Sequence, residues 1–144
     1  MRALNVEPSL YYESLRGLIA EVAQVDYVEV DDHAALVSKL RSAPYEALFV
    51  RIGAAVNREV LDAAPKLRFV ITPTTGLDHI DVALAESRGI RVLSLRGETA
   101  FLENVHSTAE HTWALLLGLI RRLPAAHSDV LAGRWRRQPF VGSE

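Results

Sequence analysis

Five short apolar runs, at residues 3–6, 25–30, 47–52, 67–72 and 90–95, recur along the first 96 residues. Each is short, rich in β-branched or aromatic residues, and bounded by polar or turn-forming residues, which predicts strands. The segments between them carry apolar residues at helical spacing. Pro8 and Ser9 open the first, with Leu15, Leu18, Ile19 and Val22 on one face. Asp31 and Asp32 start the second, where Ala35, Leu36, Val37 and Leu40 are placed to pack. Asn57 is an N-cap for the third, through Val60 and Leu61, with Pro65 beyond its end. Asp81 caps the fourth, which stops at Gly89, a residue able to adopt a left-handed conformation. Strand and helix alternating at short intervals predict a parallel sheet covered on both faces. The expectation is a five-stranded, doubly wound α/β domain over residues 1–96, with flavodoxin-like strand order as one common option.

The pattern changes after Leu95. A connector leads through Asn104 into a helix expected over 107–122, with Ser107 and Glu110 at capping-box spacing. Residues 113–120 (Trp-Ala-Leu-Leu-Leu-Gly-Leu-Ile) are apolar nearly all round, so this long helix should be buried on most sides. A short helix over 125–131 and a basic, aromatic arm over 134–140 follow. Residues 97–144 therefore form a connector, an interdomain or dimerisation helix, and an arm. One α/β unit has no obvious place to bury all of this, and an exposed apolar surface of that size marks an interface.

Composition narrows the function classes. Of 144 residues, 49% are hydrophobic and 24% charged, with a net charge of −2, which leaves no electrostatic footprint for nucleic acid or an anionic membrane. The chain has no cysteine, which excludes disulfides, thiolate catalysis and cysteine metal sites. Arg2 is followed by a strand-like run and Glu7-Pro8 rather than a signal-peptide core, so a cytoplasmic location is expected. The block at 113–120 is too short to span a bilayer.

Candidate chemistry concentrates after the fourth strand. In residues 72–81, small hydroxylated side chains, Pro73 and Gly76 end an apolar run, and Gly76 lets a ligand approach the backbone. Ligands of open parallel sheets bind beyond the carboxyl ends of the strands, where unpaired backbone N–H groups can hold a carboxylate. An ordinary loop capped by Asp81 would have the same local sequence. His106 and His111 are five apart, about 140° around a helix, and so do not share the face a zinc helix needs. No two glycines lie two apart, so the chain holds neither G-x-G-x-x-G nor a Walker A loop. No G-x-S-x-G elbow is present either.

Three stretches in order carry a resemblance: Thr-Thr-Gly-Leu-Asp-His-Ile-Asp at 74–81, Arg-Gly-Ile-Arg-Val at 88–92, and Glu-Asn-Val-His-Ser-Thr-Ala-Glu-His-Thr at 103–112. Together they resemble the D-isomer-specific 2-hydroxyacid dehydrogenases, in particular the phosphoglycerate-dehydrogenase-like branch. The resemblance covers residues 45–144 well and 1–44 by pattern only. It implies that a flavodoxin-like domain grips a small 2-oxo or 2-hydroxy acid while a separate Rossmann domain binds NAD or NADP. It places Thr75 and Gly76 where backbone N–H groups hold the substrate carboxylate, and Asn104 against substrate near the domain crossing. Arg51 matches an arginine that can face the distal group, although Ile52-Gly53 follows where the family often has serine. An arginine there could equally serve a surface ion pair. In this family the catalytic Arg, Glu and His follow the glycine-rich loop, and none of the five histidines here sits in the catalytic context. The expectation is a substrate-binding portion with no catalytic, cofactor-binding or metal residues of its own. It would not be competent alone, would end before the NAD-binding domain, and would pair as a homodimer through 107–140. The alternative is a stand-alone dimeric module that binds small carboxylates or a partner and has lost the chemistry.

Overall fold

The computed structural model describes residues 1–8 and 13–142. They fall into two compact units, Met1–Glu98 and Thr99–Glu144. In the first, strands β1 (Arg2–Asn5), β2 (Gln24–Tyr27), β3 (Ala47–Phe49), β4 (Phe69–Ile71) and β5 (Arg91–Leu93) pair in parallel in the order β2-β1-β3-β4-β5. This is the doubly wound, flavodoxin-like arrangement. The connecting helices are α1 (Glu13–Ala20), α2 (His33–Arg41), α3 (Arg58–Ala63) and α4 (Val82–Ser87).

Side chains alternate across the strands and so divide the core. Leu4, Val6, Leu48, Val50 and Val70 face one way, against Leu36, Val37 and Leu40 of α2 and Val60 and Leu61 of α3. Ala3, Ala47 and Phe49 belong to a second, smaller cluster with Ala23, against which Ile19 of α1 packs. The local signals for three helix starts hold. The carboxylates of Asp32 and Asp81 and the amide oxygen of Asn57 accept from the N–H of Ala35, Leu84 and Val60, at 2.8, 3.0 and 3.1 Å. Gly89 sits at φ 74°, and the Gly89 and Ile90 amides close a Schellman turn onto Glu86 and Ala85.

Two packing expectations need correction. The start of the first helix, at Ser9, lies outside the described residues. Of its expected inward face only Ile19 packs on the core, while Leu15, Leu18 and Val22 are exposed. Val22 lies past the end of α1.

The second unit holds α5 (Thr99–Leu102), α6 (Ser107–Ile120), α7 (Leu123–Leu131) and a 3-10 turn, Gln138–Phe140. Helix α6 has fourteen residues and no buried side chain; Leu119 is 77% exposed. The expectation of burial on most sides is not met within this chain. The predicted capping box does not form: His106 is the N-cap, with no side-chain cap bond, and Ser107 is already helical. Gly133, at φ 72°, ends α7, and the arm after it returns to the helix. Asp129, 3% exposed, accepts from Arg134 at 2.6 Å and from Arg136 at 2.5 and 3.1 Å. Among the described residues, no helix is long and apolar enough to cross a membrane.

Candidate functional site

In this strand order the chain leaves β1 for β2 on one side and returns to β3 on the other, so the crevice beyond β1 and β3 is the topological switch point. At the end of β1, Asn5 is fully buried and its Oδ1 accepts from the Glu7 N–H at 3.1 Å. The Glu7 carboxylate then crosses to the neighbouring strand and accepts from the backbone N–H of Arg51. Among the described residues the Arg51 guanidinium has no hydrogen bond or ion pair.

The adjacent turn after β4 is organised by its hydroxyl groups. Thr74 Oγ1 donates to the Gly76 carbonyl at 2.8 Å, and the buried Thr72 hydroxyl lies 3.0 Å from Thr74 Oγ1. With the Thr74 proton committed to Gly76, Thr72 donates to Thr74 and keeps its lone pairs for His79 Nε2, 3.5 Å away. Burial pushes the pKa of His79 below its ordinary value, against the opposing fields of Glu7 and Asp78, so the imidazole is neutral at pH 7. Thr75 and Gly76 themselves are exposed, and neither backbone N–H is hydrogen-bonded among the described residues. Around Gly76 the nearest atom to an added Cβ would be Asp78 Oδ2, 3.8 Å away, so the approach is open.

The two loops are pinned to each other. Val56 N–H donates to the His79 carbonyl at 2.7 Å and Asp81 N–H to the Val56 carbonyl at 2.9 Å, a small parallel bridge beyond the sheet. Arg51 and the Thr75–Gly76 turn thus stand on neighbouring, tied loops at one end of the sheet. Asn104 belongs to the second unit, where its Nδ2 donates to the Ala100 carbonyl at 3.5 Å. Thr72 and His79, inside the stretch 72–81 but given no role there, and Glu7, outside it, join the constellation. The one available signal was Glu7 immediately after a strand, since its partner is 44 positions away.

The sequence profile of the D-isomer specific 2-hydroxyacid dehydrogenase catalytic domain matches residues 8–134. The chain belongs to that family. It is 38% identical over 126 residues to D-3-phosphoglycerate dehydrogenase of Mycobacterium tuberculosis, which covers 88% of this chain and 22% of that protein. It thus spans about a fifth of the length of this relative. The fold superposes on a Thermus thermophilus protein of solved structure with a TM-score of 0.79 and 26% identity, over 99% of this chain and 45% of that one. D-lactate dehydrogenase of Aquifex aeolicus, solved with NAD and lactic acid, gives a TM-score of 0.76 at 21% identity, over 100% of this chain and 41% of that one; it supports the fold alone.

Proposed function

We propose that this chain is the substrate-binding portion of an NAD(P)-dependent, phosphoglycerate-dehydrogenase-like D-2-hydroxyacid dehydrogenase. The observation that carries the reading is the pair of exposed, unbonded amides at Thr75 and Gly76, on a turn tied to the loop of Arg51. A 2-oxo acid places its carboxylate on those amides, where two donors in fixed positions cost little reorganisation. The Arg51 guanidinium meets the distal group, and a substrate contact for Asn104 is supported by the resemblance of residues 103–112 to the family motif.

Hydride transfer needs a positioned nicotinamide and a proton donor or acceptor. The described residues do not fit the cofactor: the turn after β1 has no glycine cradle, and Glu7 puts a carboxylate where a pyrophosphate would need donors. In this reading NAD or NADP and the catalytic Arg, Glu and His belong to the nucleotide domain of the complete enzyme, and the chain works in the cytoplasm. The purified 144-residue chain is expected to give no oxidation of NADH or NADPH with any 2-oxo acid, followed by absorbance. Turnover would overturn the proposal.

A second reading draws on the exposed apolar surface of α6 and α7. Leu115, Leu119, Leu123 and Val130 line an open groove of about 1180 Å³ there. Two copies meeting through this face would make a stand-alone dimeric module, and the complete enzyme would use the same surface to pair.

A further inference from the structure

We propose that Thr74 is the positioning residue of the carboxylate seat: its hydroxyl holds the Gly76 backbone in the form that leaves the Thr75 and Gly76 amides unpaired and open to a ligand. The inference rests on the reading above, in which those two amides hold the α-carboxylate. Its own support is a hydrogen-bonded chain that begins at a buried hydroxyl and ends on the seat.

The backbone ties of the sheet run past β4 as far as Thr74. Thr72 N–H donates to the Leu93 carbonyl at 2.9 Å, and Leu95 N–H donates to the Thr74 carbonyl at 3.1 Å. On the far side the turn is anchored again. There Ile80 N–H donates to the Leu77 carbonyl at 2.9 Å and Val56 N–H to the His79 carbonyl at 2.7 Å. Thr75 and Gly76 lie between these anchors, and their own N–H groups have no backbone partner among the described residues. Gly76, without a Cβ, has the widest choice of backbone angles in the turn. The Thr74 hydroxyl narrows that choice, because it donates to the Gly76 carbonyl at 2.8 Å and ties residue 76 back to an anchored one. That hydroxyl is itself held. The buried Thr72 hydroxyl lies 3.0 Å from it and gives it a proton, with His79 Nε2 3.5 Å behind Thr72. A seat already ordered in the free chain loses little backbone freedom when the ligand arrives, so the anion is held more tightly.

The test is NMR amide-shift titration of the chain, of Thr74→Val and of Thr74→Ser, each with pyruvate and with acetate. Valine keeps the branched shape and removes the hydroxyl; serine keeps the hydroxyl and drops the methyl. Both ligands present a carboxylate, and only pyruvate adds a 2-oxo group. Thr74→Val is expected to bind both about tenfold more weakly, the scale of ordering one residue's backbone, with its melting temperature little changed. Thr74→Ser should bind both within about twofold of the unchanged chain. If Thr74→Val folds poorly, Thr72→Val stands in: it removes the supporting donor, keeps the buried volume and should weaken both ligands by about threefold. Affinities unchanged in Thr74→Val, or in Thr72→Val where it stands in, would make the hydroxyl a mere tie within the loop and overturn this proposal, leaving the carboxylate site standing. Equal weakening in the valine and serine variants would assign the effect to side-chain shape and overturn it too. Binding of neither ligand by the unchanged chain would overturn both this proposal and the reading it rests on.

Discussion

Tyr45 and Asp26 show how single residues here are tuned by their surroundings. The Tyr45 hydroxyl donates to Asp26 Oδ2 at 2.6 Å, and Arg2 Nη2 donates to the same oxygen at 2.9 Å. Burial first, and then the bond to Asp26, push the Tyr45 phenol up to about 12. A pKa raised on folding means the contribution to stability is complete below the ordinary phenol range near 10 and is lost as pH rises through about 12. The expected outcome is alkaline unfolding that Tyr45→Phe shifts upward in pH, followed by circular dichroism; an unchanged alkaline midpoint would argue against it. Tyr45 lies outside every sequence signal, because its partners reach it from two other strands. The turn that carries Thr75 and Gly76 was legible because it is local. Glu7 was not: a carboxylate on a distant backbone N–H leaves no periodicity and no motif.

At the level of elements, the caps and the sheet were readable and the faces of the flanking helices only partly so. Asp32, Asn57, Asp81 and Gly89 act within four residues of themselves, which is the range over which sequence patterns speak. What covers a helix is decided elsewhere in the chain or in another chain. Helical spacing shows that Leu15 and Leu18 share a face, but not that this face is left exposed. The same limit applies to α6, whose apolar middle lies bare, with Leu119 at 77% exposure. We expect α6 to carry the homodimer contact. Leu119→Glu touches no core residue and should convert a concentration-dependent dimer to a monomer in sedimentation, with the melting temperature of the first unit unchanged. A chain that is monomeric before the substitution would contradict this.

For the molecule as a whole, the proposed division of labour rests on where candidate chemistry lies in the chain. The first unit gathers two amides and a guanidinium with no partner among the described residues, and a carboxylate, on the loops at one end of its sheet. The second has an exposed apolar surface on α6 and α7. Neither holds a glycine-rich nucleotide loop, and the family's hydride chemistry needs one. The most direct test is amide-resolved NMR of the isotopically labelled chain during titration with a 2-oxo acid. The account predicts that the Thr75 and Gly76 amide signals move first and furthest, with Arg51 following, and that acetate competes for the same two amides. A titration that leaves Thr75 and Gly76 still while other signals move would contradict the central claim.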